Sequence, residues 1–229
     1  MAHTDAVQRA PHIAADATGV LQRAVSVRLD DEKLCAMSQS LIGRFKGAHP
    51  PWDAEGWHYT ADASVGGPLT AQYMLVLDAL NFCFWPSEHG FEYVHLACAL
   101  RDALLRDPAV FDAARLAVVT PAEVASWFPA AFPVPDPETR AAALNEVGAQ
   151  LGLHYGGSAL RLIHAAAGSA VALVGLVAAT FPRFRDEAYH AGHRVGFYKR
   201  AQIFVADVSI SISIPIDRKS TRLNSSHQR

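Results

Sequence analysis

Residues 81–85, Asn-Phe-Cys-Phe-Trp, put an amide and three aromatic rings into one short stretch. Flat rings invite a planar ligand, and stacking a base on an aromatic ring contributes about 1–3 kcal/mol. Asn81 can hydrogen-bond the edge of such a ring while Phe84 or Trp85 stacks on its face. His58 sits between Trp57 and Tyr59 and is a second candidate contact. Asp78 lies three residues before Asn81, so the two share one helical face. Tyr198-Lys199-Arg200 places two adjacent cations ahead of an apolar run, which calls for an anion such as a phosphate, or for a salt bridge. Neighbouring residues point in different directions, so both cations do not easily grip one phosphate. Asp207 closes that apolar run, and an unpaired charge there is costly to bury. Each residue also has a structural alternative: a core plug for the aromatics, a satisfied histidine, or a salt bridge between Asp207 and Lys199 or Arg200.

The elements that would hold these residues are helical. Leu34, Met37, Leu41, Ile42 and Phe45 recur at helical steps, as do Leu69, Tyr73, Val76, Leu77 and Leu80. A third stripe runs from Phe91 to Leu105. Thr120-Pro121-Ala122-Glu123 predicts a helix start with a capping box, and Asp136-Pro137-Glu138 predicts another helix towards Leu153. Gly156-Gly157-Ser158 breaks the chain and caps an expected long apolar helix over Ala165–Phe181, which Pro182 ends. Strand signals are few. Trp57-His58-Tyr59-Thr60 could pair with something nearby, Gln202 to Val208 is ambiguous, and Pro50-Pro51 and Gly66-Gly67-Pro68 predict loops. The expectation is a mainly α single domain with at most a small sheet.

The 229 residues, about half of them apolar, suffice for one sizeable core. A net charge of −2 argues against duplex nucleic acid as a partner, though not against a single nucleotide. Cys35, Cys83 and Cys98 form no CxxC pair, so buried reduced thiols are expected. The stretch from Met1 to Arg23 has no apolar segment of a secretory signal, and the apolar run ending at Phe181 is short for a membrane span. A cytoplasmic protein without membrane contact is the expectation. His190-Ala191-Gly192-His193 has HxxH spacing but no accompanying HExxH or cysteine cluster, so no metal is expected. GxGxxG, P-loop and GxSxG motifs are absent, and no cofactor is expected.

After Val208 the character changes. Ser209-Ile210-Ser211-Ile212-Ser213-Ile214 alternates strictly and would suit a half-buried strand. The polar, basic string from Asp217 to His227 has almost nothing to bury and resembles translated sequencing-adapter sequence. Residues 1–208 are therefore expected to form the domain, and 209–229 a disordered, non-native tail rather than a nucleic-acid arm.

Three segments carry a family resemblance: Gly56-Trp57-His58-Tyr59; Gln72-Tyr73 through Leu77-Asp78-Ala79-Leu80-Asn81-Phe82-Cys83-Phe84-Trp85-Pro86; and Phe181-Pro182-Arg183-Phe184-Arg185-Asp186 leading to Phe197-Tyr198-Lys199-Arg200-Ala201-Gln202-Ile203 and Ala206-Asp207. Together they resemble the queuosine salvage protein family, from about Val25 to Val208. The resemblance implies an all-helical fold related to helix-hairpin-helix DNA glycosylases. It also implies cleavage of queuosine 5′-monophosphate, a small-molecule substrate, into queuine and ribose 5-phosphate. Such cleavage passes through an oxocarbenium-like sugar that a carboxylate stabilises, attacks, or supplies with activated water. Asp207 is the local candidate for that carboxylate. His58, Asp78, Asn81, Phe84 and Trp85 are candidates for the base, and Tyr198, Lys199 and Arg200 for the phosphate. Queuine is a 7-deazapurine, so the departing base lacks the usual N7 protonation site. Family members continue past the position of Asp207, so the site is expected to be incomplete here. The competing expectations are a non-catalytic binder of a modified nucleotide or tRNA end, and a helical interaction module whose aromatics are core.

Overall fold

The stretch Pro68–Leu80 is apolar or aromatic apart from Thr70, Gln72 and Asp78, and as helix α3 it is buried on every side from Thr70 onward. The computed structural model describes residues 13–26, 28–44, 52–65, 67–85 and 89–212. Among them ten α-helices and one hairpin form in the order α1 Ile13–Arg23, α2 Asp31–Arg44, α3, α4 Tyr93–Arg106, α5 Ala113–Leu116, α6 Pro121–Ser126, α7 Pro137–Tyr155, α8 Ala159–Ala165, α9 Ala170–Thr180, β1 Glu187–His190, β2 His193–Gly196 and α10 Lys199–Ser211. The fold is mainly α with one small antiparallel sheet, as expected. Helices α4, α7, α8 and α10 pack around α3.

Polar groups inside this core are satisfied across elements. Gln72 donates to Phe111 O at 2.8 Å and accepts from Ala159 N–H at 3.1 Å. Tyr73 donates to Ala97 O at 3.0 Å. The start of α3 is held by Asp62, whose carboxylate accepts the Leu69 and Thr70 N–H groups at 2.7 and 3.0 Å. That places a negative charge at the positive end of the helix dipole. Gly148 lets α7 lie directly on α5: a Cβ there would sit 2.3 Å from Ala117 N and 2.4 Å from Ala113 O.

The predicted caps form at Thr120, Asp136 and Ser158, which accept from Glu123, Thr139 and Arg161 N–H at 3.2, 3.1 and 3.3 Å. Glu123 does not close a box; its carboxylate accepts from Arg115 Nε at 2.9 Å. The expected single apolar helix is two. Ser158 caps the short α8, the chain turns through Ala167 (φ 50°) and Gly168 (φ 80°), and Ser169 starts α9 by accepting from Ala172 N–H at 3.2 Å.

Other expectations are corrected. Trp57–Thr60 forms no strand. Gln202–Val208 is helical, and α10 continues through Ser209-Ile210-Ser211 rather than turning into a strand. The serines there bond back to carbonyls four residues earlier, Ser209 to Val205 O and Ser211 to Asp207 O, and burial of Val208 and Ile212 in the core overrides the alternation. The cysteines are not buried: Cys35 and Cys83 are exposed and Cys98 is half-buried. Cys35 rides on α2, whose apolar stripe Leu34, Met37, Leu41 and Ile42 is itself exposed. The HxxH histidines face each other as a register pair of the hairpin, across the turn Ala191-Gly192 (φ 49° and 78°). No group of three metal-ligating side chains occurs among the described residues. Phe45, Pro50, Pro51, Gly66, Pro86, the first twelve residues and the tail from Ser213 lie outside the described residues.

Candidate functional site

Asp78 occupies the last turn of α3, fully buried, and neither carboxylate oxygen meets a well-placed hydrogen-bond donor among the described residues. Helix α10 packs against α3 and brings Asp207 up to it. Burial holds the Asp78 carboxyl well above the usual carboxylate range, and the charge of Asp207 pushes it further; the Asn81 side chain and the Arg200 guanidinium pull the other way. Asp207 is half-buried, and burial raises it from 3.8 to about 6. Two acids this close do not ionise independently. The pair favours a shared proton or a nearby positive charge.

Two arginines hold the end of α3 beside this pair. Arg140, fully buried on α7, donates to the carbonyls of Leu80 and Phe82, the latter at 2.8 Å, to Cys83 O at 3.2 Å and to Pro135 O at 2.7 Å. Its guanidinium lies 4.6 Å from the centre of the Phe82 ring, and burial lowers its pKa to about 10. Arg200 donates to Asp186 Oδ1 at 2.8 Å, to Ala79 O at 3.1 Å and to Arg183 O. The cations meet the carbonyl end of the helix, where its dipole is negative. They also fix the path of the Asn81–Phe84 segment, which takes Cys83 through φ 54°.

Beyond that segment lies a cleft of ≈ 370 Å³ lined by Phe84, Trp85, Gly90, Phe91, Glu92 and Tyr93. Phe84 and Phe91 stack with centroids 6.0 Å apart, and Tyr93 meets Phe84 edge-on at 6.5 Å. Trp85 is 81% exposed, so its ring is free to cover a ligand. Asn81 and Phe84 are half-buried. Tyr93 links the cleft to the acids: burial, then the charges of Asp207, Asp78 and Asp53, raise its phenol.

His58 is engaged at both ring nitrogens. Nδ1 lies 2.7 Å from Asp53 Oδ1, Nε2 lies 2.9 Å from Tyr93 Oη, and Trp52 covers the ring with centroids 4.4 Å apart. It therefore touches the cleft through Tyr93. Tyr198 is the half-buried N-cap residue of α10, its ring over Gly196. Lys199 is exposed and forms no ion pair among the described residues, whereas Arg200 is committed to Asp186. Asp207 forms no salt bridge with either cation; its neighbour is Asp78. Sequence reasoning missed Asp53, Tyr93 and Arg140. The acid four residues before Trp57 was a local signal for Asp53, but Tyr93 and Arg140 act across 35 residues or more.

The helical scaffold thus carries an aromatic cleft whose wall residue Tyr93 feels the charges of the acids Asp207 and Asp78, and flat aromatic walls suit a planar ligand. The sequence model of the queuosine salvage protein family matches residues 58–214, more than half of the chain and past Val208, and the chain belongs to that family. It is similar to proteins named queuosine 5′-phosphate N-glycosylase/hydrolase. The one from Dictyostelium discoideum is 39% identical over 189 residues, covering 80% of this chain and 58% of the relative. The one from Sphaerobacter thermophilus is 37% identical over 198 residues, covering 82% and 59%. The mouse protein is 33% identical over 172 residues, covering 68% and 51%. The chain thus spans between half and three fifths of the length of these relatives.

Proposed function

We propose that this protein hydrolyses the N-glycosidic bond of queuosine 5′-monophosphate, releasing queuine and ribose 5-phosphate in salvage of the base for tRNA. The observation that carries the proposal is the pair of buried Asp78 and half-buried Asp207, whose charges reach Tyr93 on the wall of the aromatic cleft. As the bond from the anomeric carbon to the base nitrogen breaks, its electron pair leaves with the base and positive charge grows on the sugar; a water oxygen then bonds to that carbon, and the proton it loses balances the one taken up by the base nitrogen. An ionised Asp207 stabilises that charge, and the acid pair is relieved of its own repulsion at the same moment. Phe84 and Trp85 stack on the base, Asn81 meets its edge, and Lys199 at the first turn of α10, with Tyr198 beside it, receives the phosphate. Arg200 and His58 support this arrangement through Asp186 and Tyr93. No helix among the described residues is long and apolar enough to cross a membrane, and the proposed setting is the cytoplasm.

The test is incubation with queuosine 5′-monophosphate and quantification of queuine and ribose 5-phosphate by mass spectrometry. It is run on this chain and on one extended to the relatives' length. Equimolar release from either is expected, with loss of release in Asp207→Asn. Tight binding without release from both would overturn the hydrolase in favour of a nucleotide-binding protein.

A further inference from the structure

Tyr93 opens α4, and its ring forms part of the cleft wall against Phe84. Its hydroxyl ends a chain of hydrogen bonds that begins at Asp53. The Asp53 carboxylate already accepts the Trp57 and His58 backbone N–H groups at 2.9 and 3.2 Å. An ionised carboxylate can only accept, so the 2.7 Å contact to His58 requires the proton on Nδ1. With His58 neutral, Nε2 is an acceptor, and the Tyr93 hydroxyl then donates across the 2.9 Å contact. The imidazole itself cannot turn: its side chain is 8% exposed and lies under Trp52. Burial, and after it the charges of Asp207, Asp78 and Asp53, keep the phenol protonated. With its one proton directed at His58, the hydroxyl has only lone pairs left to offer.

We propose that Tyr93 is the hydrogen-bond acceptor of the cleft, meeting an N–H or O–H donor on the ligand's base edge, with His58 and Asp53 as the positioning residues that hold its hydroxyl in the accepting orientation. The inference deepens the glycosidase reading and rests on it. It makes Tyr93 a specificity residue. A base that presents an acceptor at this place meets lone pair against lone pair, and a site built around such a bond discriminates strongly.

The test uses free queuine and queuosine 5′-monophosphate as probes, with binding followed by calorimetry and folding checked by circular dichroism. Tyr93→Phe removes only the oxygen and is expected to weaken queuine binding about tenfold. His58→Gln places an amide near the Nε2 position and keeps a partner for Tyr93, whereas His58→Asn keeps only the Asp53 contact. His58→Gln should bind within about threefold of the parent, and His58→Asn should match Tyr93→Phe, with no further loss in the double variant. Unchanged binding in Tyr93→Phe overturns the proposal. So does the reverse order of the two histidine variants, which is what a mere anchor for the 53–58 loop would give. If the parent protein binds queuine but releases none, the hydrolase reading fails while the same binding series still decides the role of Tyr93. If it binds neither probe, both fall.

Discussion

Replacing Asp207 with Asn should make the protein more stable and less active. In the folded state burial lifts the Asp207 carboxyl from 3.8 to about 6. The difference, 6 − 3.8 = 2.2 units at about 1.36 kcal/mol each, corresponds to about 3 kcal/mol against the ionised form. The folded chain holds this proton more tightly than the unfolded chain does. Below about pH 4 both forms are protonated and the acid contributes nothing. As pH rises towards about 6 the unfolded chain gives up its proton first, so stability falls, and the full deficit persists above that. Asn carries no charge at any of these values. Urea unfolding of parent and variant, followed by circular dichroism between about pH 4 and 8, should give curves that meet at the acid end. By about pH 7 they should separate by about 3 kcal/mol, with the variant the more stable. Queuine release should fall in the same variant, the combination expected where a site is held in a strained state for its chemistry. Parallel stability curves, or a parent more stable than the variant at neutral pH, would refute the argument that burial of this acid opposes its charge.

The remaining predictions concern the scaffold and the walls of the cleft. Arg140→Met keeps the length of the side chain but strips donors from the carbonyls of Leu80, Phe82, Cys83 and Pro135. It should cost about 3 kcal/mol or more in chemical denaturation, and Lys should restore little of it. Gly148→Ala pushes a methyl group into the backbone of α5 and should lower stability by about 1–3 kcal/mol, visible as a lower melting temperature. Trp85→Ala and Lys199→Ala are exposed changes and should leave stability within about 0.5 kcal/mol of the parent. The first should weaken queuine binding by about 1–3 kcal/mol, and the second should abolish the preference for the nucleotide over its nucleoside in competition binding.

The sequence was most legible where structure is local. The caps at Thr120, Asp136 and Ser158 are decided by side chains three residues away, and each forms. The stripe in α3 marked the central helix, but not that the helix is buried all round, because a stripe names one apolar face and says nothing of what covers the others. The apolar run to Phe181 gave no sign of its break: when every face is apolar, periodicity carries no information about where a helix stops, and the turn at Ala167-Gly168 is punctuated only by one glycine. Ser209–Ser211 reads as a strand by alternation, yet burial of Val208 and Ile212 in the core keeps it in α10. At the candidate site, the sequence singled out both members of the acid pair, but only packing of α3 on α10 brings them together. Tyr93 carried no spacing signal, because its partners His58, Asp78 and Asp207 reach it from three separate segments. Arg140 carried no signal of its own, since nothing local shows that carbonyls of another helix await it.

The two arginines at the end of α3 have a consequence for what the site can tolerate. Arg140 meets only carbonyl oxygens, and Arg200 meets carbonyls besides its Asp186 carboxylate, so both bring positive charge to the end where the helix dipole is negative. Without them, two aspartates at the negative end of a buried helix would form a sink that draws in metal cations or protons indiscriminately. With them, the pull of the acid pair on a cation is moderated, since Arg200 opposes the protonation of Asp78.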